Sequence, residues 1–218
     1  MAGSGALVLT HQRLSKPQAL STLNMLALLV HQYEEYEDPG YFPGQFNGGI
    51  FHSKQPDRYP LNTNTALIVN VPFAYPFYVL PVIFPRKRVL GIAPVLFGFL
   101  QAAGHGTIFA RLAGDRYSPG FLASALLHVP IGITYLRALN AEKPIKRSEL
   151  ARAAAYNVGV ALTGIAGPNV LLRDKNSPYR WAAKQMGPHL PVGSVEQPGP
   201  SPRTAGSDAA QASAPESI

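Results

Sequence analysis

Residues 17–35, PQALSTLNMLALLVHQYEE, carry no charged side chain until their last two positions. The stretch begins as an apolar run and ends on the pentapeptide His31-Gln32-Tyr33-Glu34-Glu35. At 3.6 residues per helical turn, His31, Glu34 and Glu35 occupy positions i, i+3 and i+4, so they project from one helical face. An imidazole and two carboxylates beside apolar surface are costly to desolvate singly. The stretch therefore predicts a membrane helix with a polar site at its end.

Four further stretches of the chain lack Asp, Glu, Lys and Arg. About 20 residues of helix cross the hydrocarbon core of a bilayer, whereas the surface helices of a soluble protein carry charge on their outer face. The mean hydropathy of the whole chain is only +0.03, because the loops and the C-terminal residues are polar. We therefore predict an all-α integral membrane protein, a bundle of about five transmembrane helices. The five charge-free stretches are residues 17–33, 59–85, 89–110, 117–136 and 153–172.

Composition divides the chain into three parts. Residues 1–15 form a short N-terminal segment, and residues 16–173 form the transmembrane domain with the pentapeptide. Residues 174–218 are polar and, after Pro188, rich in Pro, Ser, Gly and Ala, which predicts a largely disordered tail. The first apolar run is not followed by a small-residue cleavage site, so we interpret it as a retained helix and not as a signal peptide.

The charge of the chain points to a membrane and not to nucleic acid. The formal net charge is +7, but the basic residues form short clusters between apolar stretches, such as Arg86-Lys87-Arg88 and 143–152. Such clusters fix the orientation of a membrane protein, so we expect membrane lipid, and no nucleic acid, as a partner. Cysteine is absent, which excludes disulfides and thiolate metal ligands.

Basic residues on the two sides predict a cytosolic N-terminus. In that orientation the inner side holds ten basic residues and the outer loops hold four. The ten are Arg13, Lys16, Arg86, Lys87, Arg88, Arg137, Lys143, Lys146, Arg147 and Arg152, and the four are Lys54, Arg58, Arg111 and Arg116. Basic residues after residue 172 then lie outside, so either the fifth helix is re-entrant or the bias is imperfect there.

The alternating direction of successive helices predicts that the polar residues share one leaflet. The pentapeptide ends the first helix, and His105 lies late in the third, which runs the same way. The second and fourth helices begin on that side. The residues brought together by this parity are His31, Glu34, Glu35, His105, Asn62, Asn64, Tyr117, Ser118 and Asn169. Either orientation of the bundle gives the same grouping.

The chain resembles the HXXEE family of small multi-pass membrane proteins. The resemblance rests on the pentapeptide, on His105, and on Tyr117-Ser118-Pro119-Gly120, which is similar to a Tyr-x-Pro-Gly segment of that family. It covers about residues 16–140. The family has no known function, so what the resemblance implies is limited to a metal-site interpretation of these polar residues.

Metal binding is the sharpest hypothesis for the polar residues. His31, Glu34, Glu35 and His105 would hold a divalent ion, and imidazole with carboxylate suits zinc, iron or manganese. Glu35 would be the general base or a further ligand. Two alternatives stay open: a metal-free polar network, and a solvated acidic rim with His31 hydrogen-bonded inside. Asn62, Asn64 and Tyr117 are further polar site candidates.

Two other histidines are left out of the predicted site. His128 lies in the middle of the fourth helix, where a lone histidine more often bonds a neighbouring helix than a metal. His52 lies in the Gly-rich outer loop, and we expect it to have no role in the site.

Three function classes follow from these residues. The first is a metal-dependent hydrolase acting on a lipid-like or other membrane-accessible substrate that enters from the side. The second is a proton- or cation-coupled membrane carrier that uses the same residues. The third is a structural membrane protein without turnover.

Overall fold

The computed structural model describes residues 14–190. Within this range the chain forms seven helical elements and no strand, so the all-α prediction is confirmed there. The elements are α1 (Lys16–Tyr36), α2 (42–50), α3 (Thr63–Ile83), α4 (Arg88–Ala113), α5 (Phe121–Glu142), α6 (147–171) and a 3₁₀ segment (Ala183–His189).

Three of the described helices are long and apolar enough to cross a membrane: α3, α4 and α5, of 21, 26 and 22 residues. This is consistent with a membrane protein. By the same measure of length and composition α1 and α6 do not qualify, so five membrane helices are not confirmed. Polar residues such as Gln18 and Asn24 interrupt α1, and α6 opens on the charged turn 147–152.

Local signals fix both ends of α1. The Ser15 side chain accepts a hydrogen bond from the backbone N–H of Gln18, and Pro17 occupies the first turn, where its missing N–H costs nothing. After Tyr36 the chain turns at Gly40, whose φ of 79° is left-handed and favours glycine.

Helix α1 buries polar side chains and exposes apolar ones. Ser21, Asn24, Leu28, His31 and Glu35 recur every three or four residues along its buried face. Its outward apolar residues, each at least 41% exposed, are Leu23, Leu26, Leu29 and Val30. This arrangement is the reverse of a water-soluble helix, in which the polar face is the outer one.

The apolar core lies at the end of the bundle away from the pentapeptide. All five long helices contribute to it. Its buried members are Leu28, Phe77, Tyr78, Ile92, Ala93, Val95, Tyr135, Leu139 and Ala153. Toward the opposite end, which α2 covers, the buried residues of α1 and α4 include His31, Glu35 and His105.

Three helices widen into a π-helical turn where they meet α1. In α3 the turn covers Val69–Ala74 and includes Asn70, which accepts from Gln32 of α1. In α4 the turn covers Gly104–Phe109 and includes His105, and in α5 it covers Ser124–His128. Such turns are frequent at functional sites because they redirect side chains out of the regular helical pattern.

Residues 174–190 differ from the predicted disordered tail. Trp181 stacks on Tyr36 with ring centroids 5.4 Å apart, and its Nε1–H donates to the carbonyl of Leu61. Met186 is fully buried, and His189 contacts Asp115 at 2.8 Å. One tryptophan and one methionine thus anchor a segment whose average composition is polar. Residues 191–218, the remainder of the predicted tail, lie outside the described residues.

Candidate metal centre

His31, Glu35 and His105 form a buried group between α1 and α4. Nε2 of His31 lies 3.4 Å from Oε1 of Glu35, and Nε2 of His105 lies 3.3 Å from the same oxygen. One donor atom from each residue lies within 4.8 Å of the other two. Across residues 14–190 this is the one group of three His, Asp or Glu side chains so arranged. The group could bind a metal ion.

The surroundings of His31 leave its Nε2 unprotonated in the neutral ring. Nδ1 lies 3.0 Å from the backbone carbonyl of Gly120. A carbonyl oxygen only accepts hydrogen bonds, so Nδ1 carries the proton. Nε2 then presents a lone pair, which also accepts from Nε2 of Gln101 at 3.0 Å. A ligating histidine is commonly held in this way, with its other nitrogen bonded to a carbonyl.

A chain of hydrogen bonds fixes the ring of His105 in the same manner. The amide nitrogen of Gln45 donates to Asp115 Oδ2 at 2.7 Å and to the Tyr117 carbonyl at 2.9 Å, so its amide oxygen faces Ser118. The Ser118 hydroxyl donates to that oxygen at 2.6 Å. Its lone pair must then accept from Nδ1 of His105, 2.9 Å away. Nε2 of His105 is left as a buried lone pair without a hydrogen-bond donor.

Three acceptor atoms therefore converge on one point. With both rings neutral, two imidazole lone pairs and a carboxylate oxygen face one another, and such groups repel in a site of low polarity. Gln101 donates to one of the three acceptors, and a cation would satisfy all of them, either as protons on the rings or as a metal ion among the three atoms. The donor set of two imidazoles and one carboxylate fits zinc, iron or manganese.

Gly120 is required where the two rings meet. Its φ is 103°, in the left-handed region. A Cβ at this position would lie 2.7 Å from Cε1 of His31 and 2.8 Å from Cε1 of His105. Because the Gly120 carbonyl also holds His31, any side chain here would displace the rings.

Glu34 faces away from the three-residue group. Its carboxylate accepts hydrogen bonds from the backbone N–H groups of Leu122 and Ala123, at 3.1 and 2.7 Å, and from the Tyr117 hydroxyl. These N–H groups belong to the first turn of α5, which has no intrahelical partners for them. Desolvation and the neighbouring Glu34 raise the pKa of Tyr117 above its usual range, which keeps its hydroxyl a donor. Glu34, one of the predicted ligands, thus caps α5.

The other predicted candidates lie outside the group. Asn62 caps α3 by accepting from the N–H of Thr65 at 2.9 Å and donates to the Leu172 carbonyl. Asn64 is half-buried beside it. His128 bonds Asn24 Oδ1 at 2.7 Å through Nδ1, with its ring centroid 5.8 Å from that of His31. His52 is exposed.

Three residues of the site carry little signal in the sequence. Gln45 lies in a stretch of turn-forming residues, where no helix is predicted, although it belongs to α2. Ser124 contacts Nδ1 of His31 at 3.0 Å, and Gln101 contacts Nε2. Small polar residues on apolar helices are common, so single positions of this kind do not stand out. The pattern that could have marked Gln101 is its spacing, one turn before His105.

The three-residue group forms one wall of an apolar cavity of about 230 Å³. The cavity is bounded by α1, α2, α3, α4 and α6. Phe42 and Phe109 flank the His105 ring, with centroid distances of 5.1 and 4.9 Å. The site is thus a polar patch inside an otherwise hydrophobic pocket, the usual arrangement of a small-molecule site.

Comparison with known proteins identifies one family. The family model described as "Protein of unknown function with HXXEE motif" matches residues 22–135. No curated protein and no solved structure matches the chain. The matched region includes every residue of the three-residue group, together with Glu34, Gln101, Tyr117 and Gly120.

Proposed function

The chain belongs to the HXXEE-motif family of unknown function, and on that premise we propose that it is a metal-dependent membrane hydrolase of lipid-like substrates. The observation that carries the proposal is the convergence of three acceptor atoms, from His31, Glu35 and His105, in the wall of an apolar cavity. These residues would hold zinc, iron or manganese. Two imidazoles and one carboxylate are a ligand set of catalytic zinc sites, in which a further position stays open.

The surrounding residues orient the ligands. The Gly120 carbonyl holds His31, and Ser118 with Gln45 holds His105. Such hydrogen bonds fix the ring orientation and raise the basicity of the ligating nitrogen. A divalent ion would supply Lewis acidity and would lower the pKa of a water that binds it.

Glu35 has two roles in this proposal. It contributes Oε1 to the three-residue group, and its second carboxylate oxygen takes up the proton of the attacking water. Glu34 is unsuited to that base role, because its carboxylate already accepts from α5 and from Tyr117.

The inverted burial of α1 supports its placement in the membrane. Leucine side chains that are about half exposed suit a lipid surround, and the buried histidine and glutamate suit the interior of a bundle. Helix α6 likewise exposes Val158, Leu162 and Val170. We therefore propose a five-helix membrane bundle of α1 and α3–α6, with membrane lipid around it.

A second candidate function follows from the same geometry. Protons on the two imidazoles would relieve the convergence as a metal does, since each Nε2 lies 3.3–3.4 Å from Glu35. That state suits a proton- or cation-coupled carrier. It predicts protein free of metal and a pH-dependent flux in liposomes.

Metal analysis of the detergent-purified protein tests the proposal. The wild type should carry one divalent ion per chain. His31→Ala and His105→Ala should each abolish metal retention, and the double substitution should add little, because the ligands act as a unit. His128→Ala is the matched control, a buried histidine outside the group, and should retain the metal. Wild-type protein without metal, or two histidines that act independently, would contradict the proposal.

A further inference from the structure

The cavity beside the three-residue group extends along α1 and α3. Along α1 its lining residues extend from Leu28 to Tyr36, and along α3 from Ala66 to Tyr78. At 1.5 Å per residue these spans are about 12 and 18 Å. Its volume of about 230 Å³ lies below the roughly 300–1,000 Å³ of common ligand pockets, although it exceeds by far the roughly 30 Å³ of a water molecule. This shape suits one hydrocarbon chain better than two chains or a compact polar metabolite.

The two halves of the cavity differ in chemistry. The half toward the apolar core is lined by Leu28, Phe77, Phe97 and Val160, and the first two are buried core residues. The three-residue group lies between this half and the half covered by α2. A chain in the inner half would therefore place its first polar atoms beside His31, Glu35 and His105.

Asn169 offers an unused acceptor in the outer half. Its amide nitrogen donates to the Ile165 carbonyl at 2.9 Å, which fixes the orientation of the amide. Its Oδ1 is buried and has no hydrogen-bond donor. Because Asn169 lines the cavity, a rotation of its side chain would turn Oδ1 toward a donor bound there. A buried acceptor without a donor costs free energy that a bound donor would recover.

We propose that the cavity binds a single-chain acyl lipid whose head group carries an N–H or O–H donor. Its chain fills the inner half, its carbonyl lies beside the three-residue group, and its donor bonds Oδ1 of Asn169. This substrate class rests on the proposed hydrolytic function. Water adds to the carbonyl carbon, the bond to the ester oxygen or amide nitrogen breaks, one proton of the water goes to that leaving group, and the acid retains the chain.

Photo-crosslinking of the protein in nanodiscs tests this binding mode. The probe is a monoacylglycerol with a diazirine in its acyl chain. Crosslinks resolved to single residues should fall on Phe77, Phe97 or Val160. A diacyl phosphatidylcholine with the same diazirine should label outward residues such as Leu100 and Leu162 and not these three. Labelling confined to outward residues, or equal labelling by the diacyl probe, would overturn the proposal on wild-type protein alone.

A matched pair of variants on α6 sharpens the test. Val160→Trp fills the inner half and should lower crosslinking at least about five-fold, because overpacking a filled cavity is costly. Val158→Trp introduces the same side chain two residues away, at a position 58% exposed, and should leave the yield unchanged. Equal yields from the two variants would contradict binding in this cavity.

Two further variants separate this inference from the metal. Asn169→Leu should reduce labelling by the monoacylglycerol probe to the level of the corresponding methyl ester, which lacks the donor, and should leave labelling by the ester unchanged. An equal effect on both probes would overturn the role of Asn169. His31→Ala should lose the metal and keep the crosslink, so a failed metal proposal and a failed chain-binding proposal give different results.

Discussion

At the scale of single residues, the proton positions on two histidines decide the chemistry of the site. Gly120 and Ser118 each engage an Nδ1, so both Nε2 atoms turn toward Glu35. The sequence could bring His31, Glu35 and His105 together, because helix direction alone brings His105 to the end of α1, although it also grouped Glu34 with them. It could not identify Gln45, since its role depends on where α2 covers the bundle.

Gly120→Ala should lose the metal, because the added Cβ meets both imidazoles at less than 3 Å. The left-handed backbone adds strain of about 1–3 kcal/mol. Gly114→Ala is a close control, since Gly114 has a φ of 73° and nothing within 4 Å of the added Cβ. Both variants should lose stability in thermal unfolding, and only Gly120→Ala should lose metal in elemental analysis. Equal metal content in the two variants would show that the rings do not need this space.

At the scale of elements, the end of α1 serves two partners. Consecutive residues of a helix point about 100° apart, so Glu34 and Glu35 cannot both face His105. Glu35 is four residues after His31 and stays on its face, whereas Glu34 turns to the first turn of α5. The spacing i, i+3, i+4 predicts a shared face but does not show which carboxylate meets a neighbouring helix end. The packing of α5 decides this, because the backbone N–H groups of Leu122 and Ala123 donate to Glu34 and not to Glu35.

Glu34→Gln should keep the metal and weaken α5. The substitution removes a negative charge from a helix N-terminus, which should lower the free energy of unfolding by about 1 kcal/mol. Glu35→Gln is the matched variant, with the same change one residue later, and should lower the metal content because an amide oxygen is a poorer ligand than a carboxylate. Denaturant titration and elemental analysis of both variants measure the two effects. Metal lost from Glu34→Gln and kept by Glu35→Gln would reverse the assignment.

At the scale of the whole molecule, the orientation in the membrane follows from charge. The ten-to-four asymmetry of basic residues predicts a cytosolic N-terminus. Gln55→Cys and Ser148→Cys place single thiols at exposed positions in a chain that has no cysteine. An impermeant maleimide applied to intact cells should label Gln55→Cys and should label Ser148→Cys only after lysis. Labelling of both variants from one side would exclude a five-span bundle.

We expect residues 174–190 to stabilise the fold and residues 191–218 not to. Composition alone predicts one polar tail for residues 174–218, because an average over many residues does not reveal single buried residues such as Trp181 and Met186. Trp181, Met186 and His189 bind the end of the bundle that α2 covers, beside Tyr36, Gly44 and Asp115. Asp115 in turn holds Gln45, which fixes Ser118 and His105. Residues 174–190 therefore support the site indirectly.

Truncation after Leu190 should leave expression, thermal stability and metal content unchanged, because residues 191–218 contain almost no large apolar side chains. Truncation after Arg173 should lower the unfolding temperature and reduce metal retention, since it removes the partners of Tyr36 and Asp115. Trp181→Ala with His189→Ala in the full chain separates the anchors from chain length and should reproduce the second result. Equal stability of the two truncated proteins would show that the docked segment contributes nothing to the site. A loss on truncation after Leu190 would instead show that the last residues stabilise the fold.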